Sequence, residues 1–269
     1  MEIFVTTKTQ KLSKVILEGV EGLSFSAVMK LIREKDVKVN GVRVKTDLSV
    51  SIGDEITVYN KSVSFPEIKT IYTDDNILVV DKPSGVLSEK LFEKLKGDTG
   101  ELYFIHRLDR NTSGLMIFAK NERTEAELIS GFKNHTFDKK YIAEVYGVPL
   151  KKQATLTAYL KKDAENSLVK IYDKKVNGAT LIKTGYEVIK ENADTSTLEV
   201  TLYTGKTHQI RAHLAHIGHF VVGDGKYGDN AFNKKKGQPK QMLKAYKLTL
   251  KFDKDSPLYY LNGKTFKAE

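Results

Sequence analysis

The chain is 269 residues long and carries 44 Lys and Arg against 34 Asp and Glu, so its formal net charge is +10 at pH 7. A surplus of this size favours a polyanionic partner, and nucleic acid fits best. Because the chain contains no cysteine, disulfides, a thiol nucleophile and a cysteine zinc site are excluded. The first residues lack the pattern of a secretory signal and no apolar run approaches a membrane span, so we expect a cytoplasmic protein.

The first 61 residues show the pattern of a small domain with two helices, a hairpin and a further strand. Ser24 is a typical N-cap residue in front of the second helix. Asn40 and Gly41 supply the positive φ angles of a two-residue turn between the short alternating stretches 37–39 and 42–44. The apolar residues that share a helical face are Leu12, Val15 and Ile16 in the first helix and Phe25, Val28, Leu31 and Ile32 in the second.

Residues 62–70 contain Pro66 and show little periodicity, so they are predicted to be a linker. The remaining stretch, 71–269, carries many strand patterns and two helical ones, which is typical of a mainly antiparallel α+β domain. A run of lysines at 234–236 is predicted to be a mobile basic loop. The strand patterns cover 77–81, 115–119, 140–146, 154–160, 168–172, 179–188, 197–202 and 244–252, and the helical patterns cover 124–132 and 207–216.

The most informative segment of the chain is 106–114, which reads HRLDRNTSG. It places Asp109 between the guanidinium groups of Arg107 and Arg110, and neighbouring positive charges keep a carboxylate ionised at neutral pH. An ionised carboxylate is the form that attacks an electrophilic carbon or takes a proton. If these three residues stood alone, a surface ion pair would be the simpler interpretation. We predict that Asp109 is a catalytic carboxylate.

This segment, together with the apolar run LMIFA at 115–119, resembles the signature of the RluA-type pseudouridine synthases, in which the Asp is the essential residue. Two more stretches resemble the same family in the same order. They are KKYIAEV at 139–145 and GKTHQIRAHL at 205–214, the latter followed by GDGKYG at 223–228.

The resemblance implies a role for each matched residue. Tyr141 would lie in the active site, where it contacts the target base and assists proton removal. Arg211 would pair with Asp109 and hold it in place. Arg107 would occupy the space vacated by the flipped nucleotide, because a planar guanidinium stacks between bases and also pairs with phosphate.

The implied activity is that of an isomerase that converts specific uridines of structured RNA into pseudouridine. Large-subunit ribosomal RNA is the first expected substrate and transfer RNA the second. The implied fold is an α+β catalytic domain over 71–269 with a bent antiparallel sheet, and no cofactor is implied. Glycosidases usually deploy two carboxylates, so the single one found here favours a reaction that keeps and re-uses the detached base. We expect a monomer.

The N-terminal 61 residues resemble the small RNA-binding module named after ribosomal protein S-four, because of their Val-Asn-Gly hairpin and their GDEI strand at 53–56. In that family the second helix and the hairpin carry the RNA contacts. The residues predicted to contact phosphates are Lys30, Arg33, Lys38 and Arg43. The alternative interpretation is an ordinary solvated charged face.

Three rival hypotheses stay open. His208, His213, His216 and His219 lie within twelve residues and could bind a metal, although no carboxylate or thiol has suitable spacing. We predict instead that His208 and His213 make structural hydrogen bonds. The chain could also be a non-catalytic RNA-binding or ribosome-assembly factor, or a glycosidase that releases uracil from nucleic acid.

Overall fold

The structure is a computed structural model that describes residues 2–20, 23–59, 66–163 and 168–268. The chain divides into two compact units, Met1–Glu67 and Ile68–Glu269, which we call the smaller and the larger unit. Of the predicted linker, 62–65 lies outside the described residues, and a strand already begins at Lys69.

The described elements of the smaller unit are β1 (Glu2–Val5), β2 (Gln10–Lys11), α1 (Leu12–Gly19), α2 (Phe25–Arg33), β3 (Val37–Val39), β4 (Val42–Arg43), β5 (Ser49–Val50) and β6 (Glu55–Val58). Four of the strands form an antiparallel sheet in the order β1-β6-β3-β4, and β2 and β5 form a separate antiparallel pair.

The local chemistry of the sequence explains the smaller unit. The Ser24 hydroxyl accepts a hydrogen bond from the backbone N–H of Ala27 at 3.2 Å, as predicted for an N-cap. Asn40 and Gly41 have φ angles of 50° and 79°, which confirms the two-residue turn between β3 and β4. The predicted apolar faces of α1 and α2 form the core, except that Phe25 is 58% exposed.

The larger unit contains more strands and four α-helices within the part of the chain that is described. They are β7 (Lys69–Thr73), β8 (Ile77–Lys82), α3 (Ser88–Thr99), β9 (Tyr103–Phe104), β10 (Ser113–Ala119), α4 (Glu122–Lys133), β11 (Asp138–Tyr146), β12 (Gln153–Asp163), β13 (Leu168–Tyr172), β14 (Thr180–Glu191), β15 (Thr195–Leu202), α5 (Gln209–His216), α6 (Asn230–Lys235), β16 (Leu243–Thr249) and β17 (Thr265–Lys267).

These strands form one large sheet in the order β13-β12-β14-β15-β11-β16-β10-β8-β7, with β17 paired to β16 and β9 paired to β10. Among the described residues, every strand pair of this sheet is antiparallel except β10 with β16, where Gly114 lies beside Ala245. A Cβ on Gly114 would lie 2.2 Å from the Ala245 carbonyl oxygen, and its φ is +111°. Only glycine therefore allows β10 to start so close to β16.

The predicted α+β fold with a mainly antiparallel sheet is confirmed, but two local predictions differ from the structure. Helix α3 was not predicted. The basic run at 234–236 was predicted to be a mobile loop, yet it forms the end of α6 and its C-cap. Asp229 caps that helix by accepting from the backbone N–H of Phe232, and Lys236 pairs with Asp194. The N-cap and the ion pair explain why this lysine run is ordered.

Two helices of the larger unit, α4 and α5, pack against the large sheet. Helix α4 packs on β10 through Leu128, and α5 packs on the central strands through Ile210 and Leu214, all of which are buried. Within the described ranges, no helix combines the length and the apolar character needed to cross a lipid bilayer.

Candidate active site

A cavity of about 560 Å³ lies in the larger unit, between the turn before β10, the end of α4, strand β11 and the segment that leads into α5. All three predicted catalytic residues, Asp109, Tyr141 and Arg211, line it. Its volume falls in the range of small-molecule binding pockets. The fold thus brings together three residues that are far apart in the sequence.

Arg211 and Asp109 form the ion pair that the sequence predicted. Nη1 of Arg211 donates a hydrogen bond to Oδ2 of Asp109 at 2.8 Å. The arginine side chain is only 7% exposed, while that of Asp109 is 21% exposed and faces the cavity. The carboxylate therefore has one oxygen held by the protein and remains accessible to a ligand.

Asp224 fixes the other side of the same guanidinium. It accepts from Nε of Arg211 at 2.6 Å and from Nη2 at 2.9 Å, and it is fully buried. The backbone N–H groups of Lys226 and Tyr227 also donate to it. Burial opposes its charge, but the bonds and charge of Arg211 prevail and lower the pKa of Asp224. Since two N–H groups of Arg211 are fixed in this way, its third donor is aimed at Asp109.

Asp224 lies in the GDGKYG segment at 223–228, where no role was predicted for it. A signal was available, since Asp224 lies between two glycines. A Cβ on Gly223 would lie 1.9 Å from the backbone oxygen of Lys240, and its φ is +76°. The tight turn around Asp224 therefore requires glycine at this position.

The two arginines next to Asp109 in the sequence are not its ion-pair partners in the structure. Arg107 pairs with Glu89 at 2.7 Å, and its side chain is 64% exposed at the cavity mouth. Arg110 is exposed as well. Successive side chains in a turn point in different directions, so sequence neighbours of Asp109 do not become its partners. Arg211 pairs with Asp109 instead.

Lys82 supports the turn that carries Asp109, and sequence reasoning missed it. Its ammonium group is fully buried and donates to the carbonyl oxygens of Pro83 at 3.0 Å, Val86 at 2.8 Å and Arg110 at 3.0 Å. Burial lowers the pKa of Lys82 to about 8, although the charges of Asp109 and Asp81 oppose this shift. A single ammonium group thus joins the loop after β8 to the catalytic turn.

Two further hydrogen bonds define the other end of this turn. The backbone N–H of Thr112 donates to the carbonyl oxygen of Asp109 at 3.1 Å. The side-chain amide of Gln241, just before β16, donates to the Thr112 hydroxyl at 2.8 Å. The catalytic turn is therefore tied to the sheet on both sides.

Tyr141 lies on β11 where the pairing with β16 shifts, because Lys140 pairs with Lys247 but Tyr141 pairs with Ala245. Irregularities of this kind re-aim side chains near functional sites. Burial and the nearby charge of Asp109 raise the pKa of the Tyr141 phenol above its ordinary value. The phenol is therefore protonated at neutral pH and can donate a hydrogen bond.

His208 and His213 both make hydrogen bonds with hydroxyl groups. Nδ1 of His208 lies 2.9 Å from the Tyr227 hydroxyl, and Nδ1 of His213 lies 3.0 Å from the Thr184 hydroxyl, so both residues make hydrogen bonds, as predicted. Burial lowers the pKa of His208, with the charge of Asp109 opposing. Across the described ranges, no three His, Cys, Asp or Glu side chains are grouped as metal ligands.

His106, the first residue of the informative segment, belongs to the wall of the cavity. Its ring stacks on Phe132 with centroids 4.4 Å apart, and its Nε2 accepts from the backbone N–H of Ile117 at 3.1 Å. Burial, reinforced by the charge of Lys139, lowers the pKa of His106 to about 3. A neutral imidazole that accepts a backbone hydrogen bond serves to position the segment.

The four residues predicted to contact phosphates all lie in the smaller unit. Lys30 pairs weakly with Glu34 at 3.7 Å, and Arg33 is exposed. Lys38 and Arg43 both approach the Tyr59 ring, at 5.3 Å and 5.1 Å from its centroid. Their role in RNA binding stays a prediction.

The chain matches a known protein family over the region that contains this site. The family model described as RNA pseudouridylate synthase matches residues 76–216, slightly more than half of the chain. This chain belongs to the RNA pseudouridylate synthase family. The matched region contains Asp109, Tyr141 and Arg211, so the conserved activity of the family and the cavity fall in the same part of the molecule.

Individual relatives of this pseudouridine synthase agree with the family match. The ribosomal large subunit pseudouridine synthase C of Rickettsia bellii is 30% identical over 239 residues, which cover 77% of this chain and 79% of the relative. An uncharacterized RNA pseudouridine synthase of Chlorobaculum parvum is 32% identical over 247 residues, which cover 81% of this chain and 75% of the relative.

Among solved structures, human RNA Pseudouridylate Synthase Domain Containing 1 is similar, with a TM-score of 0.62 and 25% sequence identity over 70% of this chain and 80% of that one. The predicted fold, the RluA-type family and the assignment as an isomerase are confirmed by these comparisons. The resemblance of the N-terminal 61 residues to the S-four module stays a prediction.

Proposed function

We propose that this pseudouridine synthase modifies uridines of large-subunit ribosomal RNA and that Asp109 is the carboxylate that acts on the sugar. The observation that carries the proposal is the chain of contacts from buried Asp224 through Arg211 to Asp109 at the cavity. Ribosomal RNA is favoured because the similar protein of Rickettsia bellii is named as a ribosomal large subunit enzyme.

The reaction breaks the bond between N1 of uracil and the anomeric carbon, and forms a bond between C5 of the same uracil and that carbon. C5 loses a proton and N1 gains one, so the product is an isomer and no water or energy source is consumed. Asp109 begins this exchange either by attacking the anomeric carbon or by removing the neighbouring sugar proton. Both routes need an ionised carboxylate, and the Arg211 guanidinium stabilises that form.

The other predicted residues have complementary roles in this proposal. The uridine must leave its stack, which costs a few kcal/mol. The Tyr141 ring provides a surface for the extracted base, and its protonated phenol donates a hydrogen bond there. Proton removal by Tyr141 would need the phenolate, which burial disfavours. Arg107 is exposed at the cavity mouth and pairs with Glu89. In this proposal its guanidinium leaves Glu89 and fills the space that the extracted uridine vacates in the RNA.

We also propose that residues 1–61 form an S-four-like RNA-binding domain and that 71–269 form the catalytic domain. The smaller unit supports this with two helices and a hairpin that carry Lys30, Arg33, Lys38 and Arg43 on or near the surface. Exposed cations of this kind bind phosphates without reading the base sequence.

The first test compares wild type with Asp109→Asn on total RNA from a host that lacks this gene, with pseudouridine mapped by chemical adducts and reverse-transcription stops. We expect stops in large-subunit ribosomal RNA with wild type and none with Asp109→Asn, because an amide can neither attack nor accept the proton. Asp98→Asn is the matched control, since Asp98 is exposed on α3 and pairs only with Lys94 at 2.8 Å among the contacts described.

The remaining outcomes discriminate between the rivals. Stops confined to transfer RNA would replace the proposed substrate and keep the reaction. Bound RNA without any stop would favour a non-catalytic binding or assembly factor. Release of free uracil would indicate a glycosidase.

A further inference from the structure

The cavity is surrounded by more positive charge than its catalytic pair requires. Among the described residues, its lining contains five Lys and Arg side chains but a single carboxylate, that of Asp109. Arg211 is occupied by Asp109 and Asp224, and Arg107 is paired with Glu89. The remaining three cations belong to Lys133, Lys139 and Lys206, and within the described ranges no carboxylate lies within salt-bridge distance of them.

Two of these lysines belong to the wall made by the end of α4 and the start of β11. Lys133 is the last residue of α4 and is exposed. Lys139 is partly buried, donates to the Phe137 carbonyl oxygen at 3.1 Å and lies 5.8 Å from the Phe132 ring centroid. Burial lowers the pKa of Lys139, although the charge of the neighbouring Asp138 opposes this shift.

The third lysine, Lys206, lies on the segment between β15 and α5, which also lines the cavity. Gln209 makes two hydrogen bonds that fix this turn. Its side-chain Oε1 accepts from the backbone N–H of Lys206 at 3.1 Å, and its backbone N–H donates to the Lys206 carbonyl oxygen at 3.0 Å. The Lys206 side chain is exposed. A fixed backbone with a free ammonium group is suited to an anionic ligand.

His135 connects the two walls. It follows the C-cap of α4 with a left-handed φ of 57°, which is uncommon for a residue other than glycine. The pKa of His135 is lowered by burial first and then by the charges of Lys139 and Lys206. His135, Lys139 and Lys206 all line the same cavity, as does Lys133, so the positive charge is concentrated along one part of its lining.

We propose that Lys133, His135, Lys139 and Lys206 form a binding site for the RNA phosphodiesters on either side of the target uridine. This inference rests on the proposed function, because it takes RNA as the ligand of the same cavity. Phosphates reach the lysines from solvent, the base enters toward Tyr141, and Asp109 then faces the sugar between them. When the RNA backbone is bound on both sides of the target uridine, the sugar of that uridine is fixed relative to the Asp109 carboxylate. Catalysis by positioning requires a fixed geometry of this kind.

The test measures the dissociation constant of the full-length protein for transcribed large-subunit ribosomal RNA over a range of salt concentrations. We expect the triple variant Lys133→Gln, Lys139→Gln, Lys206→Gln to bind at least tenfold more weakly at low salt. A plot of the logarithm of the association constant against the logarithm of the salt concentration has a negative slope. The magnitude of this slope should fall by about 2 in the triple variant, because each lost phosphate contact on a single strand contributes about 0.7. Replacing the same three lysines with arginine should preserve the slope.

Lys254→Gln is the matched control, since Lys254 is an exposed lysine outside the cavity lining. A triple variant with the affinity and the slope of this control would overturn the phosphate site. So would a variant that loses turnover with an unchanged slope, because the lysines would then act on the chemistry. Wild type that forms no pseudouridine would refute the proposed function, and a reduced slope in the same experiment would still support the phosphate site.

Discussion

The surface of the smaller unit and the active site of the larger unit hold their charged side chains in opposite ways. In the smaller unit, Lys30 and Arg43 are 64% and 49% exposed and their carboxylate partners lie 3.7 Å and 3.6 Å away. In the larger unit, Arg211 is 7% exposed and binds two carboxylates at 2.6 to 2.9 Å. Exposed pairs contribute about 0 to 1 kcal/mol, whereas breaking a buried pair costs about 3 to 5 kcal/mol.

This contrast separates two uses of the same chemical groups. A cation with a weak, solvated partner can exchange that partner for a phosphate at little cost. A cation fixed by a buried carboxylate cannot exchange, but it can hold one oxygen of Asp109 in a defined place. The units should therefore respond differently to substitution, pH and salt.

The largest effect is expected for Arg211→Ala. It removes the hydrogen bond to Asp109 and leaves Asp224 as a buried, uncompensated charge, so turnover should be abolished and the free energy of unfolding should fall by about 3 to 5 kcal/mol. Affinity for RNA should stay within a few-fold, because Arg211 has little surface for phosphate. Single-turnover assays, urea unfolding and RNA titration measure the three quantities.

Arg211→Lys is the informative comparison for this variant. An ammonium group keeps the charge but cannot bond Asp224 with two donors and Asp109 with a third. We expect it to recover part of the stability and little of the turnover. Wild-type turnover in either variant would contradict the role assigned to Arg211.

An intermediate effect is expected from the buried His213. Burial, with the charge of His216 adding to it and that of Asp173 opposing, lowers the pKa of His213 to about 4. Between that pH and about 6.5 the unfolded chain takes up a proton that the folded protein does not, so stability decreases as pH falls. At pH 5 the loss from this group should be about 2 kcal/mol.

Replacing His213 with glutamine should therefore remove about 2 kcal/mol of the destabilisation seen between pH 7 and pH 5 in urea unfolding. Thr184→Val is the control, because it removes the hydrogen-bond partner but keeps the imidazole. It should lower stability similarly at both pH values. An equal deficit of His213→Gln at pH 7 and pH 5 would show that the ring does not titrate as described.

The smallest effect is expected for Arg33→Gln in the smaller unit. Arg33 is exposed at the end of α2, so the free energy of unfolding should change by no more than about 0.5 kcal/mol. The slope of log K against log salt should fall by about 0.7 if one phosphate contact is lost. Lys14→Gln on α1 is the matched control and should keep the slope. Equal slopes in both variants would count against an RNA role for α2.

Most of the fold could be predicted because its signals are local. The Ser24 cap and the Asn40-Gly41 turn depend on a few neighbouring atoms, and the strands show themselves by apolar alternation. Helix α3 was missed because its buried stripe consists of little more than Leu91 and Leu95 within a highly charged stretch. Such a stripe becomes decisive only when the sheet beneath it is known.

The site could be predicted only in part, for a physical reason. Asp109, Tyr141 and Arg211 stand in motifs that resemble a known family, so their meeting in one cavity could be expected. Asp224 and Lys82 act through contacts that only the folded chain creates. Arg107 was predicted to act on Asp109 because only one residue separates the two in the sequence. In the folded chain its partner is Glu89.

The enclosure of Lys82 by three backbone carbonyl oxygens has a consequence for chemical reactivity. With a pKa of about 8, its amine has more of the nucleophilic, unprotonated form at neutral pH than an ordinary lysine. Yet no electrophile can reach it while the carbonyl oxygens of Pro83, Val86 and Arg110 surround it. Acylation of Lys82 requires the loop and the turn to separate, so its labelling rate reports how often the segment that carries Asp109 opens.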